Sequence, residues 1–304
     1  MRSFVPEGGI INNEENLGYL SSPTGLIEAK KKGVILEARA ESCSASHDLS
    51  VRIPACRAIM PREECAIGIA EGKTKDIAII SRVGKPVAFT VKDVFEENGE
   101  TVAMLSRTEA QRLCMEEYLL HLEPGQIIDA TVTHIEQFGC FVDIGCGISS
   151  MIPIDAISVS RISHPSDRFT VGDKVKAILK CYDGEKFYLS HKELLGTWEE
   201  NANNFKAGET VRGIVRSIEP YGIFIELAPN LAGLAEPRGD VFAGQTASVY
   251  VKSINPEKMK IKLIIVDTYD FAPEKKCEYF IHQGVIRHWR YSPESCEKVI
   301  ESFF

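Results

Sequence analysis

Residues 136–145 read EQFGCFVDIG, and residues 219–228 read EPYGIFIELA. Each stretch combines the alternating apolar residues of a half-buried strand with two aromatic rings three positions apart, one on each side of a glycine. A core needs only the alternating apolar residues, so the repeated rings indicate a second role. The four ring positions are Phe138, Phe141, Tyr221 and Phe224.

The turns and strands around the two motifs recur in the same order, which is the mark of an internal repeat. A glycine begins a strand before each motif, a glycine-led strand follows it, and a short strand closes the copy. The matching segments are Gly125 with Gly208, VGDKVKAIL (171–179) with AGQTASVYV (243–251), and EKFYLS (185–190) with EKMKIK (257–262).

A third, degenerate copy lies upstream, over residues 33–107. Its centre, LSVRIPACRAIMP at 49–61, aligns with CFVDIGCGISSMIP at 140–153. In this alignment His47 and Ser50 occupy the two ring positions. The first copy therefore retains the framework and lacks the rings.

Each copy carries about five short strands separated by turn signals, which predicts a small closed antiparallel barrel. Helical spacing of apolar residues predicts short helical linkers between the barrels and a helical tail at the end. The predicted segments are an N-terminal extension, partly disordered (1–32), a degenerate barrel (33–107), a helical linker (108–123), a second barrel (124–196), a linker (197–206), a third barrel (207–270) and a C-terminal helical tail (271–304).

The motifs FGCFVDIG (138–145), VGDKV (171–175) and YLSHK (188–192), in this order, resemble those of S-one RNA-binding domains. These domains are the repeats of the largest small-subunit ribosomal protein of bacteria and also occur in polynucleotide phosphorylase. The resemblance covers 124–196 and 207–267. It implies a mainly β protein of tandem five-stranded OB-fold barrels, in which two exposed aromatics on one face stack against the bases of single-stranded RNA.

The sequence departs from the family at one position. A His commonly stands on the strand after the aromatic motif, and its place here falls to Pro153 or Ile154 in the second barrel and to about Glu236 in the third. The acidic Glu236 is expected to weaken RNA binding locally. The details of base contact are therefore not carried over from the family.

Residues three apart on a regular strand point to opposite faces, so two rings on one face require a bulge or turn at Gly139 and at Gly222. Core packing is the alternative role for the rings. Outward positions on the closing strands would add contacts to phosphates, or else form a solvated face. The predicted RNA-binding residues are Phe138, Phe141, Lys186, Tyr188, Tyr221, Phe224, Lys258, Lys260, Lys262 and, in the loop at 160–169, Arg161.

Composition narrows the class of protein. The 304 residues carry a net charge of −8, with 44% hydrophobic and 26% charged residues, which is typical of a globular protein. The nine cysteines include no CxxC pair, and no catalytic motif is present, so we expect no metal, no cofactor and no enzymatic activity. No apolar run is long enough to span a membrane, and the start is unlike a secretory signal, which favours the cytoplasm.

These features predict a protein that binds single-stranded RNA, with translation, mRNA and the small ribosomal subunit as its setting. The alternative is a protein-interaction adaptor or regulatory subunit with weak or vestigial RNA binding, which the acidic net charge and the missing His favour. The sequence does not determine the oligomeric state, the RNA sequence preference or the role of the first barrel.

Overall fold

The computed structural model describes residues 3–270 and 277–304. Within them, fifteen strands close into three barrels of five, and two further strands form a small sheet. Each barrel has the same strand order, in which the third strand pairs with the fifth and the fourth pairs with the first. This Greek-key closure is that of the oligonucleotide-binding barrel, so the predicted fold class is confirmed.

The strands of each barrel fall inside the ranges expected from the repeats. The first barrel is formed by β1 (Leu36–Cys43), β2 (Leu49–Arg52), β3 (Arg57–Met60), β4 (Pro86–Glu97) and β5 (Glu100–Ser106). The second is formed by β6 (Ile127–Glu136), β7 (Gly139–Asp143), β8 (Ser149–Pro153), β9 (Lys174–Tyr182) and β10 (Phe187–Ser190). The third is formed by β11 (Thr210–Glu219), β12 (Gly222–Ala228), β13 (Leu231–Ala235), β14 (Thr246–Asn255) and β15 (Lys260–Tyr269).

Within residues 3–270 and 277–304, five short α-helices lie outside or between these strands. They are α1 (Glu14–Leu20), α2 (Pro23–Lys32), α3 (Ile77–Ile80), α4 (Arg107–Glu117) and α5 (Trp198–Ala202). Ser106 begins the linker helix α4 by accepting a hydrogen bond from the Glu109 amide at 2.9 Å. No helix in the described part of the chain is both long and apolar enough to cross a membrane.

Alternation along the strands fills the barrels as the sequence predicts. Cys140, Val142 and Ile144 are buried beside Phe141, and Phe187 and Leu189 are buried on β10. Lys186, which precedes Phe187, and Tyr188, which lies between Phe187 and Leu189, are exposed. The period of two therefore assigns these residues of β7 and β10 correctly, although Asp143 and Ser190 beside them are also buried.

The N-terminal extension differs from the partly disordered segment predicted for 1–32, because residues 3–32 carry α1 and α2. Asn13 and Ser22 cap the two helices, and Leu20 and Leu26 are buried in the core of the first barrel. Ahead of α1, the buried Glu7 carboxylate accepts a hydrogen bond from Arg107 at 2.6 Å. Buried apolar and charged contacts thus order a segment that has little periodicity of its own.

The chain divides into two compact units, and one of them holds most of the second barrel, all of the third and the C-terminal residues. Inside this unit, the buried Glu226 of β12 accepts hydrogen bonds from Arg168 at 2.8 Å and from Arg216 at 2.9 Å. Asn230, also buried, accepts a hydrogen bond from the Val159 amide at 2.9 Å and donates to the Gly196 carbonyl at 2.9 Å. Buried polar bonds therefore hold the second and third barrels together.

The C-terminal tail is not the helix predicted for 271–304. Residues 271–276 lie outside the described part of the chain, and among residues 277–304 the regular structure is a two-stranded sheet of β16 (His288–Arg290) and β17 (Glu301–Phe303). Trp289 and Tyr291 are buried in the core of the third barrel while His288 is exposed. This alternation has the period of two that is typical of a strand. Pro293 would also interrupt a helix through this segment. A strand therefore forms where a helix was predicted.

Candidate nucleic-acid interface

The second and third barrels each present a pair of aromatic rings in the same geometry. The centroids of Phe138 and Phe141 lie 6.2 Å apart with the rings at 87°, and those of Tyr221 and Phe224 lie 6.1 Å apart, also at 87°. Phe138 is 56% exposed and Tyr221 is 67% exposed, while their partners are half-buried. The first ring of each pair is therefore open to a ligand. Each pair is called a ring platform below.

A turn, rather than a bulge at the glycine, brings the two rings together. Phe138 and Tyr221 lie in the hairpin turns, and β7 and β12 begin at the next residue. The glycine is needed for a different reason: a Cβ at Gly139 would lie 2.5 Å from the Ile152 carbonyl oxygen, and one at Gly222 would lie 2.7 Å from that of Ala235. Gly139 and Gly222 therefore let the neighbouring strand approach closely.

A row of outward side chains extends from each platform across the barrel. In the third barrel, Phe224 pairs with Leu234, which pairs with Lys262 on the closing strand. In the second barrel, strands β7, β8 and β10 are neighbours in the same order, and Met151 pairs with Tyr188. These rows cross the second and third strands, the face on which oligonucleotide-binding barrels bind their ligands.

Lys260 and Lys262 lie outward on the closing strand of the third barrel, as alternation predicts, whereas Lys258 lies before that strand. Lys260 and Lys262 are exposed on β15, on either side of the buried Ile261. Lys258 ends a short 3-10 turn that begins at Pro256, and Met259 adopts the left-handed conformation, so the strand starts only afterwards. Proline cannot continue a paired strand, which explains the interruption. Lys258 is exposed in the connection between the fourth and fifth strands.

This turn shifts the alignment of the last strands by two residues. Cys181 pairs with Tyr188 in the second barrel, and its counterpart Ser253 pairs with Lys262 in the third. Matching EKFYLS to EKMKIK by sequence aligns Tyr188 with Lys260. Strand pairing shows that Tyr188 corresponds to Lys262 instead. The second barrel ends its row with an aromatic ring, and the third ends it with a cation.

Tyr188 is held in place by the turn that precedes it. Its hydroxyl donates a hydrogen bond to the Asp183 carboxylate at 2.8 Å, and Asp183 also accepts from the amides of Lys186 and Glu185, both at 2.8 Å. The bonds to these two amides and to Tyr188 lower the pKa of Asp183, and the bond to Asp183 raises the pKa of Tyr188. The phenol is thus fixed in its neutral form, with its exposed ring and Lys186 at the same turn.

The first barrel has the same row without rings or a cation. Ser50 pairs with Ile59, and Ile59 pairs with Met104 on the closing strand. His47 lies in a turn in the left-handed conformation, with its Nδ1 3.5 Å from the Asp76 carboxylate. His47 and Ser50 therefore lie in the first barrel where the ring pairs lie in the other two.

The structure places Arg161 apart from the rows, in the segment between β8 and β9. It is exposed and lines a cleft of about 400 Å³ with Ser158, Lys192 and Ile300. His164, three residues on, accepts a hydrogen bond from the Ser166 amide at 3.2 Å and caps a 3-10 turn. Arg161 remains a predicted phosphate contact that lies outside the two platforms.

One residue beside the ring platform of the second barrel was not predicted as part of the site. His134 on β6 lies with its ring centroid 6.1 Å from that of Phe141, and its Nε2 is 2.7 Å from the Glu136 carboxylate. Its counterpart in the third barrel is Ser217, which pairs with Phe224. Alternation from the buried Ile128, Ala130 and Val132 would place His134 inward, but it is exposed. The matching strand of the third barrel has a register shift just before Ser217, and no local sequence signal marks this break.

Ser190 and His191 do not form a catalytic pair. The Ser190 hydroxyl donates to Glu193 at 2.6 Å, whereas the buried His191 has its Nδ1 2.8 Å from the Ile157 carbonyl oxygen. Burial lowers the pKa of His191 to about 4, so the ring is neutral near pH 7. In the described residues, no cluster of His, Cys, Asp or Glu is arranged to hold a metal ion.

The fold defines the class: proteins built from tandem five-stranded barrels of the oligonucleotide-binding type. Within this class, residues 121–192 match the family model of the S1 RNA binding domain, which confirms the resemblance to the S-one family for the second barrel. Residues 121–192 begin after helix α4 and contain all five strands of the second barrel.

Two curated relatives are named as small ribosomal subunit proteins. The chain is 30% identical over 129 residues to small ribosomal subunit protein bS1 of Leuconostoc lactis, covering 41% of this chain and 30% of that protein. It is 31% identical over 133 residues to the bS1 homolog of Bacillus subtilis, covering 41% of this chain and 34% of that protein. The matches thus span about a third of the length of these relatives.

Among solved structures, a multidomain protein with nucleic acid binding domains from Streptococcus pneumoniae is 13% identical to this chain. The match covers 77% of this chain and 73% of that one, with a TM-score of 0.25.

Proposed function

We propose that the second and third barrels bind single-stranded RNA by stacking bases on their two ring platforms. One observation carries the proposal: the same ring pair, at the same distance and angle and with its first ring exposed, is built twice in one chain. Base stacking on an aromatic ring tolerates any sequence and contributes about 1–3 kcal/mol per base. The outward Lys260 and Lys262 supply charge for phosphates despite the net charge of −8.

The biological setting that we propose is translation in the bacterial cytoplasm, with mRNA as the RNA and the small ribosomal subunit as a partner. The match to proteins named bS1 supports this setting. The first barrel, which has no rings in its row, would then serve in docking to protein. The chain acts in this proposal as an RNA-binding protein without catalytic activity.

Fluorescence anisotropy with a short unstructured RNA, titrated with the full chain at several salt concentrations, tests the RNA part. We expect micromolar or tighter binding at low salt that weakens as salt rises, because phosphate contacts release counterions. No binding at low salt would contradict the proposal and favour the alternative, a protein-interaction adaptor. Cosedimentation with small ribosomal subunits at two salt concentrations tests the setting separately.

A further inference from the structure

Each of the three barrels has a β-bulge at the same place on its fourth strand. In the second barrel Leu179 pairs with Leu189 and Cys181 pairs with Tyr188, which leaves Lys180 without a partner across the ladder. The register of the other two barrels shifts in the same way, between Val91 and Asp93 and between Val251 and Ser253. The residues left unpaired are Lys92, Lys180 and Lys252.

The bulge places these lysines beside the end of each row. A bulged strand bends, and its extra residue is displaced from the ladder. Lys180 is exposed next to Cys181, the partner of Tyr188, and Lys252 is exposed next to Ser253, the partner of Lys262. Neighbouring strands lie about 5 Å apart, so each lysine stem starts within side-chain reach of the row.

Among the described residues, a bulge lysine forms an ion pair only in the barrel without rings. Lys92 of the first barrel forms an ion pair with Glu64, which also accepts a hydrogen bond from Ser106. Lys180 and Lys252 form no ion pair with any residue of 3–270 or 277–304. An exposed ammonium group with no ion-pair partner among these residues, at the end of a row that begins at a ring platform, is suited to bind an anion that accompanies a stacked base.

We propose that Lys180 and Lys252 bind backbone phosphates of the RNA strand whose bases stack on the ring platforms. The inference rests on the proposed RNA binding and extends it to two positions outside the predicted site. The bulge gives each platform a cation at a fixed place, so the third barrel carries three lysines along its row and the second carries Lys180 with Lys186. In the first barrel the lysine at the same position, Lys92, forms an ion pair with Glu64.

Binding of the full chain to a short unstructured RNA, measured from about 0.05 to 1 M salt, tests this inference with Lys180→Ala and Lys252→Ala. Each phosphate contact on a single strand contributes about −0.7 to the slope of log K against log salt. Each variant should therefore make the slope about 0.7 less negative, and at 0.1 M salt should bind about fivefold more weakly relative to its value at 1 M. Lys180→Arg, which keeps the charge, should retain most of the slope.

Lys92→Ala is the matched control, since it removes a lysine from the same bulge in the barrel without rings, and it should leave the slope unchanged. If the wild-type chain binds RNA and the Lys180→Ala and Lys252→Ala slopes equal the wild-type slope, the bulge lysines do not contact phosphate, and the stacking proposal stands. If the wild-type chain binds no RNA at low salt, both proposals are wrong.

Discussion

Replacing Phe138 and Tyr221 by alanine should separate RNA affinity from stability. Both rings project from hairpin turns and are 56% and 67% exposed, so little apolar area returns to water when they are removed. Full burial of such a side chain is worth about 1.5–3 kcal/mol, which puts the cost of each change at about 1 kcal/mol or less. The loss of one stacked base is worth about 1–3 kcal/mol, a factor of about 5 to 150 in affinity.

The assay pairs anisotropy titration of an unstructured RNA with urea denaturation of the same variants. Phe303→Ala is the control: its ring on β17 is 69% exposed, outside both platforms, and its removal should leave RNA affinity within about twofold. Unchanged affinity for Phe138→Ala and Tyr221→Ala together, with the protein folded, would refute the stacking role. An equal loss for Phe303→Ala would show that the effect is not specific to the platforms.

Three further predictions concern stability, each read from urea denaturation. Gly139→Ala should lower the unfolding free energy by about 2 kcal/mol, because its Cβ meets the Ile152 carbonyl oxygen, whereas Gly18→Ala, in open space on α1, should not. Glu226→Gln should cost about 3–5 kcal/mol by leaving the buried Arg168 without a carboxylate, whereas Arg216 keeps its ion pair with Asp167, and the exposed Glu257→Gln should cost almost nothing. Burial holds the folded-state pKa of His191 near 4, below its unfolded value of 6.5, so the stability due to the neutral ring is full above pH 6.5 and lost as pH falls through 4. The drop in unfolding free energy between pH 7 and pH 4 should be about 3 kcal/mol smaller in His191→Gln; an equal drop would contradict this account.

The repeated glycine-led strands were enough to predict three barrels, since alternation and turn spacing are local signals. Lys258 shows where local signals fail: alternation placed it on a strand, but Pro256 delays the strand by two residues. The prediction of a helical tail was wrong because tertiary contacts decide its structure. Trp289 and Tyr291 are buried in the core of the third barrel by an extended segment. Strand pairing, which the sequence does not display, decided each of these cases.

The bulge lysines show what the sequence did contain. A lysine closes the segments FTVK, AILK and VYVK in all three copies, ending at Lys92, Lys180 and Lys252. The recurrence was visible, yet its meaning depended on the register of the ladder and on the pairing of Lys92 with Glu64. The same residue type at the same position thus has different surroundings in barrels with and without rings.

The carboxylate of Glu226 also bears on how the protein unfolds. It belongs to the third barrel, while Arg168, which contacts it, belongs to the second. Melting the third barrel would leave Arg168 of the second barrel without its carboxylate, and melting the second would leave Glu226 with Arg216 alone. Both penalties disfavour states in which only one barrel is folded. The two barrels are therefore expected to melt in a single cooperative transition, with amide hydrogen exchange in both cores governed by the same opening event.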